Sequence, residues 1–355
     1  MKKNSIKIFL LMGVLISFLS CKSNSEEESL YIGTYTNGTS DGVYTVDINH
    51  DKLYSHLKYR LSNPSYLALG DRYSVFVEEE VPKGKIVIDG LREMDREVIS
   101  SQGGAPCYIS ISPSSRYIAW ANYLGGKVVV YDVKQKREIV YQHTGQGPVV
   151  DRQDASHMHC AVWSSKEDMV FTVDLGGDKI DMCSLDFGEI NTVFKFPGGS
   201  GPRHMVFTKD GQYALVSTEL SNELYLLKWN ETTSVFDKLQ VYSTLRGDGV
   251  TSYAAAVKLS KDENFVYVSN RGENNIVRFI FDKESVEIKK PKWFDVKGDF
   301  PRDFALNKTN TVMAVANQKS QNVTLFDIDS EGCLSYQNRD INLDQPVFVK
   351  FYTHQ

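Results

Sequence analysis

A unit of roughly 45 residues recurs along this chain, and a repeat of that period restricts the architecture to a solenoid or a propeller. The third copy is the clearest. It reads Ala105-Pro106-Cys107-Tyr108-Ile109-Ser110-Ile111, a turn, Tyr117-Ile118-Ala119-Trp120-Ala121-Asn122-Tyr123, a Gly125-Gly126 turn, then Lys127-Val128-Val129-Val130-Tyr131-Asp132. Short apolar and β-branched runs bounded by Gly, Pro and Ser turns read as strands. Further copies begin near His157, Arg203, Tyr253 and Phe300, and a less regular one at Asn63. No segment carries a sustained helical period.

The two ends of the chain complete each other. Residues 345–351 form a first strand with nothing after it. Residues 30–36 and 42–48 form later strands with no first strand before them. One blade built from both ends closes a circle and leaves only short edges. The expected fold is therefore all-β, a single seven-bladed β-propeller over residues 30–355, closed by pairing the N-terminal strands with the C-terminal strand. A β-sandwich would leave the repeat unexplained.

Residues 1–20 read as a targeting segment rather than structure. Lys2 and Lys3 precede an apolar run over 6–19 that is too short for a comfortable membrane span. The run ends at Ser20-Cys21 and resembles a bacterial lipoprotein signal, in which Cys21 receives the lipid. Residues 21–29 are polar and acidic, as in a flexible tether. These features predict an exported protein of the bacterial cell envelope, held to a membrane through Cys21. The net charge of −5 and the scattered basic residues leave no footprint for nucleic acid. The repeat region is long enough to bury its own core, and a monomer is expected. Cys107, Cys160, Cys183 and Cys333 lie in apolar or strand-like runs without paired spacing, and read as buried thiols.

In a propeller, the start of each first strand and the end of each second strand converge on one mouth of the channel. The fourth copy sends His157 and His159 there, with Arg152 just before. The fifth sends Arg203, His204 and Glu219, the sixth Asn270 and Arg271, the seventh Arg302, Asn317 and Gln318. Blade packing calls for apolar residues, so this convergence points to a site. Arginine forks suit a carboxylate or phosphate. A histidine and a glutamate carry protons near neutral pH. Arg203 and Glu219 also fall at one end of a single hairpin, where an ion pair is expected. His157 and His159 have the spacing of metal ligands on one strand face, but their arginine-rich surroundings argue against a metal. No nucleophile elbow and no phosphate-cradling glycine loop is present in the sequence.

The ordered set of motifs resembles the lactonase family of seven-bladed propellers, typified by the propeller-type bacterial 6-phosphogluconolactonases. It comprises Gly33-Thr34-Tyr35-Thr36, Asn63-Pro64-Ser65-Tyr66-Leu67, Ala121-Asn122-Tyr123, Arg152-Gln153 with His157-Met158-His159, Asp174-Leu175-Gly176 with Asp178, Gly201-Pro202-Arg203-His204, Glu219-Leu220, Ser269-Asn270-Arg271-Gly272, and Pro301-Arg302. The family also includes fungal carboxymuconate lactonising enzymes, whose proposed site is a histidine, two arginines and a glutamate. By motif these are His159, Arg203, Glu219 and Arg271. The resemblance implies hydrolysis of a small anionic sugar lactone without metal or cofactor. His159 and Glu219 would be the acid/base pair, with Arg203 and Arg271 holding the substrate anion and the oxyanion. Arg152, His157, His204, Asn270, Arg302 and Gln318 would bind substrate. A lactonising enzyme acting on an unsaturated dicarboxylate, or a binding propeller without activity, are the alternatives. The leader sets this chain apart from the cytoplasmic lactonases and favours an extracytoplasmic sugar lactone or uronic-acid lactone.

Overall fold

The computed structural model describes residues 28–353 apart from 51, 91–95 and 187. The expected leader, Cys21 and most of the tether lie outside the described residues. Among the described residues, 28 strands form seven four-stranded sheets. Blade 1 is the closing blade. Its inner strand is Pro346–Thr353, followed outward by Glu28–Thr34, Gly42–Asp47 and His56–Arg60. The inner strands of blades 2 to 7 are Leu67–Leu69, Gly104–Ile111, Met158–Trp163, Pro202–Phe207, Tyr253–Leu259 and Pro301–Leu306. Their second strands are Tyr73–Glu78, Tyr117–Leu124, Met169–Asp174, Tyr213–Thr218, Phe265–Arg271 and Val312–Asn317.

Closure is complete in both backbone and core. Glu28–Thr34 runs antiparallel to Pro346–Thr353, with Ser29 opposite Tyr352 and Ile32 opposite Val349. Glu28 and Ser29, expected in the tether, are therefore the first residues of a paired strand. Each neighbouring pair of blades shares one apolar cluster. Leu30, Ile32 and Val349 of blade 1 pack on Ala314, Val323 and Leu325 of blade 7. Tyr31, Val43 and Phe348 pack on Leu67, Phe76 and Val87 of blade 2. The same arrangement joins blades 4 and 5 through Phe171, Val173, Val216 and Leu227. The second strands are buried on both faces, which is why they read as continuous apolar runs.

Two features of the repeat build the mouth. First, the inner strands bulge at their starts. Pairing skips a residue between Pro106 and Tyr108, Met158 and Cys160, Pro202 and His204, and Pro301 and Asp303. The skipped residues are Cys107, His159, Arg203 and Arg302. A bulge releases its extra residue from the ladder and re-aims the side chain. Second, in blades 3 to 7 a small polar residue at or near the end of the second strand is followed by one at the mouth. Asn122, Asp174, Thr218, Asn270 and Asn317 are fully buried and hydrogen-bonded. The residues after them are Tyr123, Leu175, Glu219, Arg271 and Gln318, and blades 1 and 2 place Tyr35 and Glu79 at the same register.

Three local departures from the sequence reading are visible. The inner strand of blade 2 shrinks to Leu67–Leu69, and ahead of it Asn63, at φ 44, accepts the Thr36 N–H through its side-chain oxygen. A single helical turn, Val150–Gln153, precedes blade 4. Cys333 is partly exposed rather than buried, beside Lys292 Nζ at 3.2 Å and Arg278 Nη2 at 3.4 Å, while Cys107, Cys160 and Cys183 are buried, and these four thiols are free.

Candidate active site

The two rings of side chains enclose a cavity of about 190 Å³ lined by Glu79, Cys107, Tyr123, Arg152, His159, Glu219, Arg271 and Arg302. Glu219 is its electrostatic centre. The carboxylate accepts Arg152 Nη2 on Oε1 at 2.6 Å, and its Oε2 lies 2.6 Å from Arg271 Nη2 and 3.1 Å from Arg203 Nε. The ion pair expected within the blade 5 hairpin is thus one of three. Burial alone would raise the Glu219 pKa. Arg271, Arg203 and Arg152 outweigh it and hold the carboxyl well below the usual range. Arg203 is 2% exposed and sits behind the wall. Burial, together with Arg271 and Arg302, pulls its pKa down to about 9, so it stays cationic at neutral pH.

Local sequence explains the placement. Gly201 adopts φ +60, and a Cβ there would lie 2.5 Å from Leu220 Cγ. Its N–H donates to Asp178 of blade 4 at 2.7 Å, and its carbonyl accepts the Glu219 N–H at 2.6 Å. The turn therefore ties the start of one strand to the end of the next and brings Arg203 against Glu219. Arg152 arrives from the helical turn, where Gln153 anchors the segment by donating to the Leu175 carbonyl.

His159 lies in the wall with Nδ1 buried and unpartnered. Burial and the Arg203 charge push its pKa well below the ordinary value, so the ring is neutral. His204 lies below it, its ring 5.4 Å from that of His159 and edge-on to Tyr66 and Tyr108. Arg203 Nη1 donates to His204 Nε2 at 3.2 Å. These aromatic rings and Phe348, 4.4 Å from Tyr66, form a floor across the channel.

The structure separates the other expected residues. Arg302 lines the cavity, and its guanidinium lies 5.5 Å from the Tyr35 ring centre with no carboxylate in ion-pair range among the described residues. His157 stands behind the wall. It stacks on Tyr123 at 4.4 Å, bonds its carbonyl through Nδ1, and meets Asp154 through Nε2. The bulge at His159 breaks the alternation that would have put both imidazoles on one face. Asn270 does not reach the cavity: it is fully buried and donates to the Thr244 carbonyl and the Asn275 side chain. Gln318 stands at the mouth register with a buried, unpartnered Oε1, outside the cavity lining. Sequence reasoning did not place Tyr35, Glu79, Cys107 or Tyr123 in the site. Aligning the ends of the second strands on Glu219 would have found Glu79 and Tyr123. Burial pushes the Cys107 thiol up, which keeps it un-ionised.

A closed seven-bladed propeller with a guanidinium-rich cavity at one mouth defines the class. The chain belongs to the lactonase family of seven-bladed β-propellers, whose family model matches residues 29–351. It is 32% identical over 342 residues to the 6-phosphogluconolactonase of Bacillus subtilis, covering 90% of this chain and 97% of that protein. Among solved structures, a Lactobacillus plantarum protein superposes with a TM-score of 0.83 at 31% identity, covering 92% of this chain and 99% of the other. The periplasmic gluconolactonase of Pseudomonas aeruginosa gives 0.81 at 27% identity, covering 91% and 98%.

Proposed function

We propose that this protein hydrolyses the ester bond of a sugar lactone, recognising an anionic substrate or product through arginine and using no metal. The carrying observation is the convergence of a neutral imidazole and four guanidiniums, one set just behind the wall, on a single cavity. The cavity's carboxylates, Glu79 and Glu219, are outnumbered by Arg152, Arg203, Arg271 and Arg302. That excess suits an anion and repels a metal cation. Water adds to the lactone carbonyl carbon, the ring C–O bond breaks, and the proton from water ends on the released hydroxyl. The negative charge that develops on the carbonyl oxygen is met by Arg271 and Arg302 and by a hydrogen bond from neutral His159. Glu219 is already bound to three guanidiniums, and we assign it to positioning them. The names of the Bacillus and Pseudomonas relatives support the lactone class. The leader ending at Cys21 supports a lipid-anchored protein of the envelope acting outside the cytoplasm.

Lactone opening by the purified protein tests this. The panel holds phosphorylated and non-phosphorylated sugar lactones, with an unsaturated dicarboxylate as the arm for the reverse, lactonising reaction. Opening above the spontaneous rate is expected, with kcat falling ~10²–10³-fold in Arg271→Gln and less in His159→Gln. No turnover of any lactone, or full activity in both Arg203→Ala and His159→Ala, would overturn the reading.

A further inference from the structure

Hydrolysis of a lactone needs a group that takes a proton from the attacking water. Glu219 is badly suited to it, because three guanidiniums occupy its oxygens. His159 is equally poorly suited, because burial and the Arg203 charge disfavour an imidazolium. The cavity has one other carboxylate. Glu79 follows the second strand of blade 2 at the register that Glu219 holds in blade 5, and it lines the same cavity. Among the described residues it joins no ion pair. Among those residues its side-chain oxygens accept only the Tyr35 hydroxyl, at 3.3 Å to each.

The backbone around Glu79 is fixed. Its N–H donates to the Asn63 carbonyl at 3.2 Å, and its own carbonyl accepts Asn63 Nδ2 at 3.4 Å. Asn63 in turn is held by Thr36, next to Tyr35. Burial pushes the Tyr35 phenol up to about 12, so it remains a donor to the carboxylate. The arrangement is a carboxylate whose side chain is held, among the described residues, by one neutral hydrogen bond. It shares the cavity with Arg302 and Arg271, where the carbonyl oxygen would be received. A general base has that character, and a structural counterion does not.

We infer that Glu79 is the general base of the reaction, resting on the lactone reading given above. As the water oxygen bonds to the carbonyl carbon, its proton passes to a Glu79 oxygen. As the ring C–O bond breaks, that proton passes to the ring oxygen, which becomes the hydroxyl of the product. The carboxylate is then regenerated, and lactone and water have become a hydroxy acid with no other reactant. Tyr35 is a positioning residue that orients the base. The site thus divides its two carboxylates: one fixes guanidiniums, the other moves a proton.

The test compares Glu79→Gln and Glu79→Asp with the unmodified protein on the best lactone of the panel, with thermal melts to confirm folding. Glu79→Gln is expected to lower kcat ~10²–10³-fold and to abolish the acidic limb of the pH–rate profile. Its affinity for the open-chain sugar acid should hold or rise, since a negative charge has left the cavity. Glu79→Asp should recover part of kcat. If Glu79→Gln keeps kcat within ~3-fold and retains the acidic limb, the base is elsewhere and the lactonase reading still stands. If kcat and product affinity fall together, Glu79 is structural and the inference fails. If the unmodified protein opens no lactone, the lactonase reading fails, and the base assignment with it.

Discussion

His159 and His204 are buried imidazoles in a cationic channel, and both are held neutral: burial and neighbouring positive charge, Arg203 foremost, depress their pKa values well below 6.5. Such a group opposes folding in acid. The unfolded chain binds a proton near pH 6.5 that the folded chain refuses, so the stabilisation is complete above that pH and is lost as pH falls below it. Glu219 behaves in the same sense at lower pH. Its folded pKa is depressed, so its contribution holds above the unfolded carboxylate value of about 4.3 and is lost below it. Stability should therefore fall in two stages on acidification. Each histidine contributes a slope of up to about 1.4 kcal/mol per pH unit. In His204→Gln, which keeps an acceptor for Arg203, the slope between pH 6.5 and 5 should lose close to one proton's share. Denaturant melts across that range measure it. An unchanged slope would mean that His204 titrates normally in the folded chain.

At the scale of the element, one device recurs: an inner strand that bulges at its first residues. The repeat, its strand pairs and the joined ends were legible because a strand buried on both faces leaves a continuous apolar run that recurs from blade to blade. The site was legible only in part. His159, Arg203 and Arg302 stood out by chemistry, but their direction depends on a skipped pairing that leaves no letter in the sequence. Asn270 looked functional because it precedes Arg271, yet a second strand alternates, and one residue separates a cavity wall from an internal hydrogen bond. Glu79 is the middle of Glu78-Glu79-Glu80, three carboxylates that the sequence does not tell apart until the blades are aligned. Gly201 shows how far the device depends on backbone. Adding a methyl at φ +60, 2.5 Å from Leu220 Cγ, strains the turn that aligns Arg203 with Glu219. Gly201→Ala should cost about 1–2 kcal/mol of stability and ~10–100-fold in kcat/KM, since small displacements of oriented groups are expensive. A variant that loses stability but keeps kcat/KM would show that this turn does not set the site.

Across the whole molecule, the site exists only because the ring is closed. Its side chains come from blades 2 to 7 and from the segment before blade 4, and no two neighbouring strands could hold the cavity alone. Blade 1 holds the rest in register, and it is the one blade assembled from both ends of the described chain. Ile32 and Val349 face each other across that seam, both fully buried in the cluster that also contains Ala314, Val323 and Leu325 of blade 7. Ile32→Ala should cost about 2–5 kcal/mol, as a cavity opens in a core that relaxes only in part. Cost alone does not prove the clasp, because any buried isoleucine would behave in this way. The coupling does. If the two ends pair as described, removing one side chain already loosens the contact of the other, so Ile32→Ala and Val349→Ala together should depart from additivity by about 0.5–3 kcal/mol. Independent ends would give additive losses, within about 0.3–0.5 kcal/mol. Chemical denaturation of the two single variants, the double variant and the parent chain decides between a ring held shut at this seam and one whose ends merely lie near each other.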